Sequence, residues 1–392
     1  MSKSLIAHGA ACRWKVPVIA MACAASLSAA YMAPALAHSN QHSNWGDNDH
    51  RPRFPKPKPQ KKDPLVIEER GVFWTGGNFV QRTQPGKENF KVLVGQQYVE
   101  YTIPAEKRRN APPIVLYPGG DLIGVQFNNT PDGREGWADY FVRRGFSVYI
   151  VDPPGRGRAG WSVDQYNRVQ QGIDPPSSQP LLNQWDTDAW REWNQGPTFG
   201  VHGRHDPRCI GNDGRGDPPV TCHGDRFPKD EDSLKHFQAA HMPIGPFPTN
   251  APTTSLVELL EKIGPAIYIG HSAGGSFGGE VANSRPDLFK AVIGIEPAQN
   301  CNIATNAEVR GIVRVPTLSI HGINQIGRPN TPDCRSKYAE INGRGGNATY
   351  LDLIHDRGIW GNGHMMMWED NSDKIVDILL QWIERNVKGA KR

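Results

Sequence analysis

The sequence predicts an α/β fold: a mostly parallel sheet with helices on both faces and one loop-rich cap insertion. Three observations indicate this class. Short apolar runs rich in β-branched residues, typical of buried strands, alternate with amphipathic helical segments. The alternation stops between about residues 161 and 254, where Pro, Gly and Trp are frequent, and then resumes. Finally, one buried run ends in a Gly-x-Ser-x-Gly pattern, which requires a strand before it and a helix after it.

The Gly-x-Ser-x-Gly pattern at residues 270–274 is where the chemistry is expected. Residues 266–269 predict a buried strand, and a sharp turn from strand to helix would expose the Ser272 hydroxyl as a nucleophile. Glycine at both ends of the pattern removes the Cβ atoms that would clash where strand and helix cross. An ordinary Gly-rich turn is the alternative, but the apolar run before the pattern and the small residues after it favour the nucleophile.

The first 37 residues predict a cleaved signal peptide. Arg13 and Lys15 precede a run of apolar and small residues that closes on Ala35-Leu36-Ala37, an A-x-A cleavage pattern. A membrane anchor is disfavoured because a cleavage site, and no basic stop-transfer cluster, ends the run. The mature chain is therefore expected to begin near His38, to be secreted or periplasmic, and to have no stable membrane span.

Residues 38–64 predict a disordered linker, because prolines interleaved with lysines extend the chain and cannot build a core. A cationic tether to an anionic surface or polymer is the alternative. The formal net charge of the chain is +4; the first 37 residues hold three basic residues, and residues 38–64 hold six basic and three acidic ones. The body, residues 65–392, is therefore left at −2, and nothing in it resembles a nucleic-acid footprint.

The body is expected to form one domain, with residues of about 161–254 as a cap over the site. The cap tryptophans could line an apolar substrate cleft or could simply hold the cap together. Four short strands between residues 66 and 103 are expected to form an antiparallel leader. The strands expected after it are residues 114–117, 146–151, 266–269, 291–295, 317–320 and 349–354, and the expected helices are residues 136–144, 256–262, 275–285, 333–342 and 372–387.

Four cysteines remain after the signal peptide, and an even number in an exported chain implies disulfides. Proximity in sequence suggests Cys209–Cys222 within the cap and Cys301–Cys334 between two loops of the core. Zinc is the alternative in the cap, where a group with the chemistry of zinc ligands, though not the spacing of a familiar zinc finger, comprises His202, His205, Cys209, Cys222 and His223.

The serine needs a base, and in folds with this motif the chain order is Ser, acid, His. Two histidines compete for the role. His355 directly follows an expected strand, whereas His364 lies in Gly361-Asn362-Gly363-His364, a glycine-flexible loop before the last helix. Because the base must reach across the edge of the sheet to the serine, the longer loop favours His364.

The base in turn needs a carboxylate that fixes its tautomer. The usual position for this acid, after the strand at 317–320, carries no carboxylate before Asp333. One strand earlier, Glu296 directly follows residues 291–295, and its extra methylene lets it reach the histidine. We therefore expect Glu296 to be the acid, with Asp333 and Asp356 as rivals.

Two backbone N–H groups are expected to bind the oxyanion of the reaction. One belongs to Ala273 at the start of the helix, and the other to Gly120 in the loop after residues 114–117. Preorganised donors of this kind each contribute on the order of 3 kcal/mol to stabilising a transition state.

Five stretches of the body are specific when taken together: GVFWTGG at 71–77, TPDGREGW at 130–137, GRGR at 155–158, EP at 296–297 and GHMMM at 363–367. On these stretches the chain resembles the secreted bacterial esterases of the α/β-hydrolase superfamily, from about Gly71 to the C-terminal helix. The resemblance implies an α/β-hydrolase fold and a Ser272–His364–Glu296 triad. The chain departs from that group in the oxyanion loop, where it has Pro-Gly-Gly-Asp instead of His-Gly followed by adjacent cysteines, and in its longer cap.

The sequence therefore predicts an exported serine carboxylesterase that needs no metal or organic cofactor and acts on a small-molecule or polymeric ester. An amidase, a lactonase or a polyester depolymerase would use the same triad. A non-catalytic protein that grips a polymer with its linker and cap is the alternative of another class. No nucleic-acid partner is expected, and a homodimer is left open.

Overall fold

Eight strands form a single sheet in the computed structural model of the protein. The model describes residues 63–84, 87–161, 163–178, 186–203, 223–245, 248–298, 301, 308–323 and 334–391. The chain divides into the units Met1–Lys58 and Pro59–Arg392, and every described residue belongs to the second. The predicted signal peptide and nearly all of the predicted linker therefore lie outside the described residues. The strands are β1 (Ile67–Gln84), β2 (Lys87–Pro104), β3 (Ile114–Tyr117), β4 (Val148–Asp152), β5 (Ala266–His271), β6 (Phe289–Ile295), β7 (Thr317–His321) and β8 (Ala348–Asp352).

The sheet has the order β1-β2-β4-β3-β5-β6-β7-β8. Strands β3 to β8 pair in parallel, while β1 and β2 are antiparallel to their neighbours. The predicted α/β class with a mostly parallel sheet is confirmed. Because the parallel strands point the same way, their carboxyl ends lie along one edge, where active sites of open α/β sheets gather.

Helices cover both faces of the sheet. Side chains alternate along each strand, so Leu116 and Ile269 pack against α1 and α9, whereas Val115 and Tyr268 pack against α5 and α6. Fully burying one such side chain stabilises the fold by about 1.5–3 kcal/mol. Of the helices within the described ranges, none is long and apolar enough to cross a membrane. The helices are α1 (Trp137–Arg143), α2 (Val163–Gln170), α3 (Asp186–Glu192), α4 (Glu231–Ala239), α5 (Ala251–Ile263), α6 (Ala273–Ser284), α7 (Cys334–Gly343), α8 (Leu353–Arg357) and α9 (Ser372–Asn386).

The antiparallel leader differs from its prediction, because two long strands replace the four short ones. In the sequence, Gly76 and Gly77 predict an end to one strand, and Gly95 predicts an end to another. All three have positive φ and lie opposite one another, so the two strands bend together while their pairing continues. The first turn of α5 packs into this bend, since a Cβ on Gly95 would lie 3.1 Å from Cβ of Ala251.

The last predicted strand is also shorter than expected. It ends at Asp352, whose carboxylate accepts hydrogen bonds from the N–H groups of Ile354 (2.9 Å) and His355 (3.1 Å). This capping ends the strand two residues before its predicted end and starts α8 at Leu353. His355 therefore lies on a short helix and does not directly follow a strand.

The described part of the insertion is built around one tryptophan. The Trp190 side chain is fully buried, and its ring centroid lies 5.2 Å from that of Phe227 and 5.4 Å from that of Phe237. These edge-on aromatic contacts are the kind that hold a small core together. Trp190 is therefore a packing residue of the predicted cap and does not line a cleft.

The sulfurs of Cys301 and Cys334 are bonded, with their Cα atoms 5.3 Å apart and both side chains buried. Cys209 and Cys222 lie outside the described residues, as does His205 of the zinc alternative. His202 is described, and its Nε2 lies 2.6 Å from the Phe227 carbonyl oxygen.

We expect loss of the Cys301–Cys334 bond to lower the free energy of unfolding by about 3–4 kcal/mol, because the unfolded chain regains the freedom of a long closed loop. The measurement is urea unfolding of the Cys301→Ala, Cys334→Ala double variant beside the parent. Alanine is chosen since both sites are buried and apolar. An unchanged midpoint and slope would show that the bond contributes no stability.

Candidate active site

Ser272 sits on a strained turn between β5 and α6. Its φ of 49° and ψ of −122° are unusual for a residue with a side chain, and the side chain is half-buried. A Cβ on Gly270 would lie 2.6 Å from the carbonyl carbon of Gly274, so glycine is needed where strand and helix cross. The Ser272 N–H donates to the Ile295 carbonyl at the end of β6 (2.9 Å), which fixes the turn against the neighbouring strand.

The loop that follows β3, residues 118–123 and here called the β3 loop, lies against this turn. A Cβ on Gly119 would lie 3.0 Å from Cβ of Ser272, and one on Gly274 would lie 2.5 Å from the Pro118 carbonyl oxygen. A Cβ on Gly120 would meet no described atom within 4 Å. The β3 loop thus places a backbone without side-chain bulk beside the serine and leaves space over Gly120.

Glu296 directly follows β6, with its side chain fully buried and with a positive φ of 44°. Its Oε1 accepts a hydrogen bond of 2.5 Å from the Gly322 N–H, which follows β7. The usual acid position after β7 has no carboxylate. Its Gly322 N–H instead donates to the carboxylate of Glu296, which follows β6.

His364 is buried against both Glu296 and the serine turn. Its Nδ1 lies 3.6 Å from Glu296 Oε2. Its ring centroid lies 4.5 Å from that of His271, and its carbonyl oxygen lies 2.9 Å from His271 Nε2. Because Ser272 directly follows His271, the predicted serine, acid and histidine lie at one corner of the sheet edge. Their chemical roles stay predictions.

The rival residues lie elsewhere or outside the described residues. His355 is exposed on α8, with its Nδ1 2.8 Å from Asp352 Oδ2. The strand before it, β8, is three strands from β5, which is about 14 Å at ordinary strand spacing. Asp356 is exposed and accepts a hydrogen bond from the Asp352 N–H (2.8 Å). Asp333 is not among the described residues.

His271 is a site residue that the sequence argument treats only as a variable position of the motif. Its Nε2 faces the His364 carbonyl and must therefore donate, which leaves Nδ1 without a proton. Burial, followed by the charge of His364, holds the pKa of His271 well below its usual range, so the ring is neutral. A neutral donor here ties the serine turn to the loop that carries His364.

The loop before α9 is held from two further sides. The His364 N–H donates to the Trp193 carbonyl of the cap (2.8 Å), and the Trp193 ring lies 5.7 Å from the His364 ring. Glu369 is fully buried and accepts hydrogen bonds from the Gly363 N–H (2.7 Å) and from Asn362 Nδ2 (2.5 Å). Nothing local in the sequence indicates these contacts, apart from a glutamate after an apolar run.

Glu369 makes stability depend on pH. Burial raises the pKa of the Glu369 carboxyl to about 8. The N–H donors of Asn362 and Gly363 lower the pKa, but by less than burial raises it. Between about pH 4.5 and 8 the unfolded chain loses this proton while the folded protein keeps it, so the free energy of unfolding falls as pH rises. We expect Glu369→Gln to remove part of that fall, on the order of a few kcal/mol. Urea unfolding of both proteins at pH 5 and pH 8 measures it, and equal pH dependence would contradict it.

Comparison with known proteins agrees with this geometry. No protein-family model matches the chain. A protein of Fungal sp. (strain ATCC 74256), named "Probable secreted lipase phiG", is 24% identical, over 81% of this chain and 90% of its own length. A solved structure described as a novel bacterial esterase has a TM-score of 0.67 and 28% identity, over 83% of this chain and 98% of its own. The sheet, the turn after β5 and these likenesses show an α/β-hydrolase fold and support an esterase- or lipase-like hydrolase.

Proposed function

We propose that the protein is an exported serine carboxylesterase. The observation that carries the proposal is a strained, half-buried Ser272 beside a buried His364–Glu296 pair. A serine at positive φ costs folding free energy, and such strain is concentrated at functional sites. A buried histidine that faces a buried carboxylate can take up a proton and return it.

In the proposed reaction, the Ser272 oxygen attacks the ester carbonyl carbon while His364 Nε2 takes the hydroxyl proton. Glu296 faces Nδ1, holds the imidazole in the tautomer that accepts this proton, and stabilises the imidazolium that forms. The tetrahedral intermediate collapses, the bond to the alcohol oxygen breaks, and His364 gives its proton to the leaving alcohol. Water then attacks the acyl-enzyme in the same way, which releases the acid and restores Ser272.

The N–H groups of Ala273 and Gly120 are proposed to bind the oxyanion. Ala273 is the first residue of α6, where a backbone N–H has no partner within the helix. Gly120 lies in the β3 loop beside the serine, and the space over it leaves room for a substrate. Loss of one such donor typically lowers kcat by about 10²–10³-fold.

Export is proposed from the signal peptide expected at residues 1–37, and the printed name of the fungal relative supports it. Protein recovered from the periplasm or medium is expected to begin near His38 by N-terminal sequencing. A recovered chain that still begins at Met1 would contradict cleavage.

The proposed function is tested with a fluorophosphonate probe, which labels an activated serine covalently. We expect the full-length protein to be labelled and to hydrolyse p-nitrophenyl esters faster than matched anilides. A panel that varies acyl length and adds a lactone and a polyester film then distinguishes the related hydrolases. Absence of both labelling and hydrolysis would favour the non-catalytic binder.

A further inference from the structure

We propose that Arg156 is a positioning residue of the proposed esterase: it aims the Gly120 N–H at the oxyanion and places a buried positive charge behind it. The inference rests on the proposed function of Ser272. It adds to that site a side chain, Arg156, that has no role in the reaction described above. Arg156 lies after β4 in the Gly-Arg-Gly-Arg stretch at 155–158, and its side chain is almost fully buried, with 3% of the residue exposed.

The guanidinium of Arg156 binds two backbone carbonyls of the β3 loop. One nitrogen, Nη1, donates to the carbonyl oxygen of Gly119 and to that of Leu122, the second at 3.0 Å. These two carbonyls flank Gly120 and Asp121, so one side chain fixes both ends of the segment that carries the proposed oxyanion donor.

Because the peptide bond is planar, these hydrogen bonds also fix the direction of the Gly120 N–H. The carbonyl of Gly119 and the N–H of Gly120 belong to the same peptide unit, and in a trans peptide they point to opposite sides. Holding the Gly119 carbonyl on buried Arg156 therefore aims the Gly120 N–H away from Arg156. Gly119 lies against Ser272, and the space over Gly120 is open. Without Arg156, the Gly119 carbonyl could rotate toward the substrate, where it would repel an oxyanion.

The charge of Arg156 is not balanced by a bonded carboxylate. Across the described part of the chain, no carboxylate oxygen lies within 4.0 Å of its guanidinium. Asp152, which lies nearby, accepts instead from Arg158 Nε (2.8 Å) and from the Gly124 N–H (2.8 Å). Asp121 is buried in the loop itself; burial raises the pKa of its carboxyl, whereas the charge of Arg156 lowers it, and the two side chains form no ion pair. A buried cation without a bonded anion is costly, and a developing oxyanion would relieve that cost in the transition state.

Arg158 provides a matched control two residues away. It is about one-third exposed, pairs with Asp152 and Glu100, and stacks its guanidinium 4.3 Å above the Tyr98 ring. Within the described residues it makes no hydrogen bond to the β3 loop. Replacing Arg158 therefore tests the loss of an arginine from the same turn without the loss of the grip on Gly119.

The experiment measures full-length Arg156→Met, Arg156→Lys and Arg158→Met with a p-nitrophenyl ester and an alkyl boronic acid. The boronic acid forms a tetrahedral anion on the serine and so reports on oxyanion binding separately from the ester. For Arg156→Met we expect kcat to fall about 10–100-fold with KM within about threefold of the parent, and the boronic acid inhibition constant to rise in step. Arg156→Lys keeps a charge and donors and should recover part of both losses, while Arg158→Met should stay near the parent.

The inference is wrong if Arg156→Met folds, as judged by circular dichroism and thermal unfolding, yet matches Arg158→Met in kcat and in boronic acid inhibition. It is also wrong if only KM changes. Should Arg156→Met fail to fold, Arg156→Lys decides: a weaker boronic acid with an unchanged KM supports the inference, and parent-like values overturn it. A parent whose activity survives Ser272→Ala would overturn the proposed function, whereas a Ser272-dependent parent with silent Arg156 variants would overturn this inference alone.

Discussion

Ser272→Ala is expected to lower kcat/KM for a p-nitrophenyl ester by about 10⁴–10⁶-fold, with folding unchanged. The substitution removes only the hydroxyl oxygen that attacks the carbonyl carbon. Alanine accepts the same positive-φ turn at a strain close to that of serine, so the turn and its hydrogen bond to the Ile295 carbonyl should persist. Initial rates at several enzyme concentrations, together with loss of fluorophosphonate labelling, measure the effect.

Ser276→Ala is the matched control for this prediction. Ser276 lies four residues further on in α6, and its buried hydroxyl has no hydrogen-bond partner among the described atoms. Removing that hydroxyl should leave kcat/KM within about twofold, since it makes no hydrogen bond that the substitution would break. Equal activities of the Ser272→Ala and Ser276→Ala variants would exclude Ser272 as the nucleophile.

The fold was predictable because its signals are local. Buried parallel strands such as Ala266–His271 are continuous apolar runs, and the helices between them repeat with their own period. The long β1–β2 ribbon was not predictable in this way. Glycine has a low strand propensity, so Gly76 and Gly95 predict strand ends. Only the pairing of the two strands shows that the glycines bend the ribbon together. The start of α8 depended on the Asp352 side chain, a capping effect that alternation of apolar residues does not show.

The candidate site divides in the same way. Ser272, Glu296 and His364 each stand out in the sequence, because each follows a strand or lies in a glycine-rich loop. The groups that position them do not stand out. His271 bonds to a residue 93 positions away, and Arg156 to one 37 positions away. Such contacts connect side chains to distant backbone carbonyls, which every residue carries, so no residue type at the far end marks them.

The structure gives a physical role to two of the stretches on which the resemblance to secreted bacterial esterases rests. Arg134, in the stretch at 130–137, donates to the Glu369 carbonyl (2.8 Å) and to the Asp370 carbonyl (3.1 Å), both between His364 and α9. Arg156, in the stretch at 155–158, holds the β3 loop. Both arginines therefore hold backbone segments that lie close to the predicted site residues.

Glu296→Gln is expected to lower kcat by about 10²–10⁴-fold with little effect on folding. The side chain keeps its size, and its amide oxygen can still accept the Gly322 N–H that Glu296 binds at 2.5 Å. The second oxygen, which lies 3.6 Å from His364 Nδ1, loses its negative charge. An amide there neither stabilises the imidazolium nor selects the tautomer that accepts the serine proton. Asp356→Asn is the matched acid-to-amide control and should stay within a few-fold of the parent, because its amide oxygen can still accept the Asp352 N–H.

The double variant Glu296→Gln, His364→Ala tests whether the two residues act as one unit. If the carboxylate acts only through the imidazole, removing the imidazole leaves it nothing to do, and the double variant should be no slower than His364→Ala alone. Multiplied losses would mean that Glu296 affects the reaction by another route, for example by holding β6 and the turn after β7 together through Gly322. Nearly full activity of Glu296→Gln, with a collapse of Asp356→Asn or Asp333→Asn, would move the acid to one of those aspartates.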